Sequence, residues 1–243
     1  MTIQNTPKFS IIIPAYNHGA RVADVIKKAL ALELPVIVVN DGSTDETAEE
    51  LKKIKGITLL THQINKGKGA ALMTGFKEAA KISNYAITID GDGQHDPAHA
   101  KALMEAIKTG RGKLVVGKRT GMGKAKHIPW TSRFGRKFSN FWVSLSGGPK
   151  LSDTQSGFRI YPLPESINLN AKARRFAFEV EILALAKWHN IKIIEVPVGV
   201  SYQEKEGRIS HFRPFVDFWR NAWAFTRLIT GRVLGAKYRA GKR

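Results

Sequence analysis

The first 116 residues alternate between two hydrophobic periods, and this alternation restricts the fold more than any other feature of the chain. Short continuous apolar runs are typical of strands that are buried on both faces, and apolar side chains recurring every three or four positions are typical of helices. The predicted strands are residues 9–13, 35–39, 57–60, 85–89 and 113–116, and the predicted helices are residues 20–32, a segment that begins at 43, and residues 69–81 and 97–109. Strands that alternate with helices predict an α/β fold with a mostly parallel central sheet and helices on both faces.

The second half of the chain is less regular. Residues 176–189 have helical spacing, and residues 191–200 read as a strand that Pro197 places at a sheet edge or a bulge. Pro214 suits the first turn of a terminal helix with an aromatic stripe and a basic stripe. The pattern therefore divides the chain into an α/β domain, residues 1–211, and an amphipathic basic C-terminal helix and tail, residues 212–243.

The chain carries 39 basic and 20 acidic side chains, and the excess is concentrated in two segments. Residues 111–137 contain nine basic and no acidic side chains, and residues 208–243 contain nine basic side chains and one acidic side chain, Asp217. Such an excess is typical of proteins that bind nucleic acids, anionic membranes or phosphorylated substrates. The absence of cysteine excludes a disulfide scaffold, a thiolate metal site and a cysteine nucleophile.

Polar clusters follow several of the predicted strands, at the edge where open α/β sheets bind their ligands. Asp90 and Asp92, in Asp-Gly-Asp-Gly-Gln, come directly after the fourth strand. Two carboxylates at this spacing can converge on one hard cation, and oxygen ligands favour Mg²⁺ or Mn²⁺, which usually also hold substrate phosphates. The alternative is an ordinary turn rich in Asp and Gly, and the position at a strand end, level with Asp41, favours the site.

Each of the other polar clusters, taken alone, is weaker evidence for a binding site. Asp41 is placed to accept hydrogen bonds from a ribose or a base edge, or else belongs to a tight turn that caps a helix. Pro14-Ala15-Tyr16-Asn17 leaves the first strand, and Gly67 and Lys68 open a helix at which backbone amides can bind phosphate. The spacing of a Walker loop is missing, and no Gly-x-Gly-x-x-Gly follows the first strand, so a dinucleotide-binding fold has no support.

In combination, these motifs resemble family 2 glycosyltransferases of the GT-A (Rossmann-like) fold, and within that family the dolichyl- and polyprenyl-phosphate mannose and glucose synthases. The motifs are Ile-Ile-Pro-Ala-Tyr-Asn, Val-Asn-Asp-Gly-Ser-Thr-Asp, Asn-Lys-Gly-Lys-Gly, Asp-Gly-Asp-Gly-Gln-His and Asp-Thr-Gln-Ser-Gly-Phe-Arg, spread over roughly residues 9–215. The resemblance implies an inverting, metal-dependent transfer of one hexose from a nucleotide-sugar to a polyprenyl-phosphate-like lipid. His18 replaces a commonly acidic residue, which leaves open whether the donor is of the GDP-mannose or the UDP-glucose type.

The resemblance also implies roles for individual residues. It assigns the base and ribose of the donor, and the turn beside them, to Pro14, Ala15, Tyr16, Asn17, Asp41, Gly67 and Lys68. It assigns a Mg²⁺ or Mn²⁺ ion and the donor diphosphate to Asp90, Asp92 and Gln94. It assigns donor or acceptor phosphate to Arg119, Arg133 and Arg208, and the surroundings of the acceptor to Asp153. The expected catalytic residues among these are Asp92, Asp153, Arg119 and Arg133.

The chemistry of the acceptor leaves an alternative open. A phosphate is already anionic near neutral pH and needs little general-base help, and a guanidinium fork matches its geometry. If the acceptor is instead a hydroxyl of a lipid, glycan or small molecule, Asp153 is the natural base. A more distant alternative is a basic nucleic-acid-binding protein whose aromatic side chains stack on bases. It leaves Asp90 and Asp92 unexplained, so no nucleic acid is expected as a partner.

Residues 212–243 combine an aromatic face with a basic face, as amphipathic helices on anionic membrane surfaces do. Each basic residue near such a surface contributes about 1 kcal/mol of binding. The alternative is a helix that packs on its own domain or joins two copies in a homo-oligomer. No apolar run reaches the roughly 18 residues that span a bilayer. The expected location is therefore cytoplasmic and peripheral on the inner membrane face, with residues 1–211 as the catalytic domain.

Overall fold

The computed structural model describes residues 6–19, 21–120, 139–175, 177–200 and 225–230. The strands are β1 Phe9–Ala15, β2 Val36–Asn40, β3 Ile57–Thr61, β4 Tyr85–Thr88, β5 Leu114–Thr120, β6 Arg159–Pro162 and β7 Ile193–Gly199. The helices are α1 Arg21–Leu30, α2 Thr47–Lys53, α3 Lys68–Ala79, α4 Ala100–Lys108, α5 at residues 139–145, α6 Glu165–Asn168, α7 Phe178–Trp188 and α8 at residues 225–230.

The seven strands form one sheet in the order β3-β2-β1-β4-β6-β5-β7. Neighbouring strands are parallel except at β6, which is antiparallel to both β4 and β5. The predicted mostly parallel α/β sheet is confirmed. The antiparallel strand β6 was not predicted, because it is only four residues long and contains Arg159, whose charge breaks the apolar pattern.

Alternate side chains of β1 enter two separate hydrophobic cores on the two faces of the sheet. Ile11 and Ile13 lie in the core that includes side chains of α1 and α4, and Ile12 lies in the core that includes side chains of α3 and α7. A strand covered on both faces favours apolar residues at nearly every position. This double burial is the physical cause of the continuous apolar run from which the strand was predicted.

Strand β1 continues through Pro14 to Ala15, two residues beyond its predicted end. Proline lacks an amide hydrogen, and in a central strand the amide hydrogens of successive residues bond alternately to the two neighbouring strands. Ile12 accepts from Ile89 on the β4 side and Ala15 accepts from Asp41 on the β2 side, so Pro14 faces β4. The ladder to β4 has already ended at Ile12, so the missing donor of Pro14 costs no ladder bond.

The predicted strand at 191–200 is β7, and it lies at a sheet edge beside β5, as Pro197 indicated. Much of the predicted terminal helix lies outside the described residues. Within residues 225–230, Phe225 and Leu228 are buried, and the Phe225 ring stacks on Trp142 with 5.9 Å between centroids. This part of the helix therefore packs on its own domain. No helix in the described part of the chain is long and apolar enough to cross a membrane.

Candidate active site

The predicted polar clusters lie at one edge of the sheet, because three parallel strands end there. In the register of the sheet, Ala15 of β1 is opposite Asn40 of β2, and Ile12 of β1 is opposite Thr88 of β4. The three loops that leave these strands therefore start side by side. They carry Tyr16 and Asn17, Asp41, and the pair Asp90 and Asp92.

The loops after β1 and β2 are fastened to each other through Asn17. Its amide oxygen accepts a hydrogen bond from the backbone N–H of Thr44 at 2.8 Å, and its own backbone N–H donates to the hydroxyl of Ser43 at 3.1 Å. Tyr16 and Asn17 are half-buried, whereas Pro14 and Ala15 are buried inside β1. The expectation that Pro14, Ala15, Tyr16 and Asn17 cradle the base and ribose stays a prediction.

Asp41 is almost inaccessible, and its carboxylate holds the turn that precedes α3. It accepts hydrogen bonds from the backbone N–H groups of Lys66 at 2.9 Å and Gly67 at 2.7 Å, and it lies 2.7 Å from Nδ1 of His62. Its side chain is 3% exposed. Asp41 thus shapes the Gly67 turn, and its expected contact with a ribose or base stays a prediction.

Lys68 lies between two carboxylates at the end of β4. Its Nζ is 2.6 Å from Oδ1 of Asp90 and 2.6 Å from Oε1 of Glu179, the second residue of α7. The side chain of Glu179 is 8% exposed, and those of Lys68 and Asp90 are 16% and 25% exposed. Two expected site residues, Lys68 and Asp90, thus form one partly buried ion pair, and Glu179 is a buried third member that the sequence analysis missed.

Lys68 and Asp90 stabilise each other in their ionised forms. Burial alone lowers the pKa of Lys68, but the charges of Asp90 and Glu179 outweigh it and raise the pKa above its ordinary value. Burial alone raises the pKa of Asp90, but the ammonium group of Lys68 outweighs it and holds the pKa below the ordinary value. Asp90 is therefore ionised, as a ligand for a cation must be.

Asp92 and Gln94 share the turn after β4. The backbone N–H of Gln94 donates to Oδ1 of Asp92 at 3.0 Å. In the described residues, no group of three or more His, Asp or Glu side chains converges as a metal site built from protein alone would require. Mg²⁺ is usually held by one or two carboxylates, with water and substrate phosphates completing its shell. The hard carboxylates of Asp90 and Asp92 fit that arrangement, and metal binding stays a prediction.

Arg119 and Asp153 form a second ion pair. The Nε and Nη2 atoms of Arg119 donate to the two carboxylate oxygens of Asp153 at 2.7 and 2.8 Å, and the Asp153 side chain is 1% exposed. Glu195 of β7 accepts a hydrogen bond from the Asp153 backbone N–H at 2.8 Å. Both carboxylate oxygens of Asp153 are thus engaged by Arg119, and a role of Asp153 as a general base stays a prediction.

Comparison with known proteins settles the class of this chain. The family model described as Glycosyl transferase family 2 matches residues 10–163. The chain belongs to glycosyl transferase family 2.

Two relatives of this family 2 glycosyltransferase align with most of its length. It is 32% identical to an uncharacterized protein of Methanocaldococcus jannaschii, over 82% of this chain and 84% of the relative. It is 30% identical to a UDP-N-acetylglucosamine–dolichyl-phosphate N-acetylglucosaminyltransferase of Methanococcus voltae, over 80% of this chain and 86% of the relative. A crystal structure of an S. aureus TarS fragment in complex with UDP-GlcNAc covers 97% of this chain and 68% of the fragment, with a TM-score of 0.60 and 18% identity. The GT-A fold is confirmed.

The glycosyltransferase also contains a buried arginine that the sequence analysis missed. Arg159 is fully buried, and its guanidinium donates to the backbone carbonyls of Ser156 at 2.6 Å, Thr154 at 2.9 Å and Glu179 at 2.7 Å. The motif Asp-Thr-Gln-Ser-Gly-Phe-Arg contains Arg159, but the sequence of a motif does not distinguish a buried arginine from an exposed one. Arg159 therefore fixes residues 154–156 to the first turn of α7.

Gly157 follows directly and packs against the Lys68–Asp90 pair. A Cβ atom at Gly157 would lie 2.4 Å from Oδ2 of Asp90 and 2.7 Å from Nζ of Lys68. A larger residue would therefore displace the ends of these two side chains, so glycine allows the segment to lie this close to the ion pair. Thr88, the last residue of β4, donates through its hydroxyl to the Gly157 carbonyl at 2.6 Å and keeps the segment in place.

His95 lies in the same region as a buried neutral side chain. It is 4% exposed, its ring packs 5.2 Å from that of Phe158, and burial lowers its pKa to about 4. The imidazole is therefore uncharged at neutral pH. Two predicted phosphate-binding residues, Arg133 and Arg208, lie outside the described residues, and their roles stay predictions.

Proposed function

We propose that this glycosyltransferase moves one hexose-type sugar from a nucleotide-sugar to a polyprenyl- or dolichyl-phosphate-like lipid, with inversion at the anomeric carbon. Similarity to proteins named for that acceptor supports the proposal. They include the Methanococcus voltae enzyme and a dolichol-phosphate mannosyltransferase of Pyrococcus furiosus, which is 29% identical over 78% of this chain and 55% of the relative. These relatives differ in the sugar that their names give, so the sugar of this chain stays open between the GDP-mannose and UDP-glucose types.

The observation that carries the choice of acceptor is the buried pair of Arg119 and Asp153. A hydroxyl acceptor needs a base within reach of its proton, and Asp153, the candidate base, is 1% exposed with both oxygens bound to Arg119. A phosphate acceptor carries its own negative charge and needs no such base. The alternative of a hydroxyl acceptor with Asp153 as base therefore has no support from the geometry.

In the proposed reaction an oxygen of the acceptor phosphate attacks the anomeric carbon as the bond to the nucleoside diphosphate breaks. Asp90 and Asp92 would hold Mg²⁺ or Mn²⁺, which supplies positive charge to the departing diphosphate. Lys68 keeps Asp90 ionised and in place, and Asn17 and Asp41 hold the neighbouring loops in register. Arg119, fixed by Asp153, would orient a phosphate group, as would Arg133 and Arg208.

A lipid acceptor implies work at a membrane surface, and two features support this part of the proposal. Phe141 and Leu145, one turn apart on α5, are 60% and 45% exposed. The basic segment at residues 111–137 precedes this helix, and the basic segment at residues 208–243 ends the chain. Apolar side chains flanked by basic ones favour an anionic lipid surface. We place that surface on the cytoplasmic side, where the chain would bind peripherally.

The test is a transfer assay with the 243-residue chain. UDP-GlcNAc, UDP-glucose and GDP-mannose are each offered with a short polyprenyl phosphate or with the matching polyprenol, in Mg²⁺, in Mn²⁺ or in excess EDTA. The expected result is transfer of one sugar to the phosphate, none to the alcohol, and loss of transfer in EDTA. Transfer to the alcohol alone, or none from any donor by a folded protein that binds nucleotide, would overturn the proposal.

A further inference from the structure

Glu181 is a fully buried carboxylate that lies outside the proposed site and joins two distant parts of the chain. Its Oε2 atom accepts hydrogen bonds from the backbone N–H groups of Lys172 at 3.0 Å and Ala173 at 2.6 Å. Its Oε1 atom accepts from the guanidinium of Arg227 on α8, and the Glu181 side chain is 0% exposed. One carboxylate thus fastens both the segment that leads into α7 and the C-terminal helix α8.

The segment that Glu181 holds packs directly on the turn that opens α3. The carbonyl oxygen of Arg174 accepts a hydrogen bond from the backbone N–H of Ala70 at 3.0 Å. A Cβ atom at Gly67 would lie 2.6 Å from that same oxygen, and a Cβ atom at Gly69 would lie 2.7 Å from the carbonyl oxygen of Ala173. The contact is therefore as close as two backbones allow, and a shift of residues 172–175 must move the Gly67–Gly69 turn.

That turn carries Lys68, which binds Asp90 and Glu179. Glu179 and Glu181 lie in the same first turn of α7, so one helix end supports the turn in two ways. Glu179 holds the Lys68 ammonium, and Glu181 holds the segment that packs on the turn from outside. Arg227, at 30% side-chain exposure, supplies the cation for the fully buried Glu181. Removal of that cation leaves a buried carboxylate without charge compensation, which strongly favours rearrangement of its surroundings.

We propose that Arg227 is a positioning residue for the donor-binding turn at Gly67 and Lys68, and that it acts through Glu181 and residues 172–175. The inference rests on the proposed function, since it takes this turn as part of the donor site. Arg227 itself does not touch the substrate. Its effect is to couple the docking of the C-terminal helix to the affinity for the nucleotide-sugar.

The test compares Arg227→Ala and Arg227→Lys in the 243-residue chain, with Lys187→Ala as the charge-matched control. Lys187 is exposed at the opposite end of α7. In Arg227→Ala the KM for the donor rises about tenfold, with kcat at saturating donor within about twofold. Arg227→Lys keeps most of the affinity, because an ammonium can still reach Glu181. An unchanged donor KM in Arg227→Ala, or a fall in kcat alone, would overturn the proposal.

A second arm does not depend on turnover. Amide hydrogen exchange in the protein without ligand speeds up at residues 66–70 and 172–175 in Arg227→Ala, while β1 and β2 keep their protection. Adding Arg227→Ala to Glu181→Gln has little further effect, since both changes break one link. Uniform loss of protection over the whole sheet, or full additivity of the two changes, contradicts the coupling. If no donor supports transfer by the wild type, the proposed function fails, and the exchange pattern still decides the coupling.

Discussion

The buried cluster of Lys68, Asp90 and Glu179 makes a quantitative prediction for Lys68→Met. Breaking a buried ion pair by removing one partner costs about 3–5 kcal/mol, because the remaining charge stays buried without compensation. Methionine preserves the length and much of the volume of the side chain. Asp90 retains 25% exposure, so water reaches part of the cluster, and the lower end of the range applies. We expect a loss of about 3 kcal/mol in the free energy of unfolding at pH 8.

The pH dependence of this loss tests its electrostatic origin. In the wild type the pKa of Asp90 is lowered, so its contribution to stability is present above the ordinary carboxyl pKa and is lost as the pH falls. In Lys68→Met the two carboxylates face each other without a cation, which raises the pKa of at least one of them. That carboxylate takes up a proton on mild acidification, so the difference between variant and wild type becomes smaller at pH 5.5 than at pH 8.

The assay is urea denaturation at both pH values, with Lys66→Met as the control. Lys66 is an exposed neighbour in the same turn, and its replacement is expected to change stability by less than about 0.5 kcal/mol. Adding Glu179→Gln to Lys68→Met removes one uncompensated charge and recovers part of the loss. The reasoning is refuted if Lys68→Met costs less than about 1 kcal/mol, or if Glu179→Gln destabilises the variant as much as it destabilises the wild type.

Three further predictions follow from the site. Gly157→Ala adds a Cβ that would overlap Oδ2 of Asp90, so the rate of sugar transfer should fall about a hundredfold. The circular dichroism spectrum should change little, and a wild-type transfer rate would contradict this packing argument. Asp92→Asn should abolish metal-dependent transfer and leave the melting temperature within a few degrees, and retained activity in Mg²⁺ would remove Asp92 from the metal site. The pKa of His95 is lowered from 6.5 to about 4 in the folded protein. As the pH falls between these two values, His95 is protonated in the unfolded state but not in the folded state, so the free energy of unfolding decreases. His95→Leu should therefore reduce the loss of unfolding free energy across that interval by up to about 3 kcal/mol, and an unchanged pH profile would show that His95 does not contribute.

The regular part of the fold could be predicted because buried parallel strands impose their pattern on every residue. The apolar runs of β1, β2 and β4 and the helical spacing of α1 and α3 follow from burial alone. Strand β6 could not be found in this way, because its partners are distant in sequence and its first residue, Arg159, satisfies its charge through backbone carbonyls. Its environment is tertiary and leaves no local pattern.

In the candidate site, too, the residues marked by a local pattern were predicted and those defined by tertiary contacts were not. Asp90, Asp92 and Lys68 were found because their motifs stand at strand ends. Glu179 was missed because a glutamate in the first turn of a helix looks like a solvent-exposed residue beside the helix dipole. Only the chain path, which brings α7 to the end of β4, reveals its partner. Asp41 was found as a site residue, but its hydrogen bonds to the Gly67 turn were not, because they involve residues about 25 positions later.

The position of β6 has a consequence for how the chain is synthesised. Strand β5 emerges before β6, yet its hydrogen-bonded neighbours are β6 and β7, both later in the sequence. A nascent chain that ends near residue 120 therefore has four strands that can pair in order, and β5 has no partner. Strand β5 joins the sheet only when β6 pairs between β4 and β5. If translation is paused before β6, proteases should cut the nascent chain at β5 and spare it at β1. Once β6 has been synthesised and released from the ribosome, β5 should become resistant to the proteases.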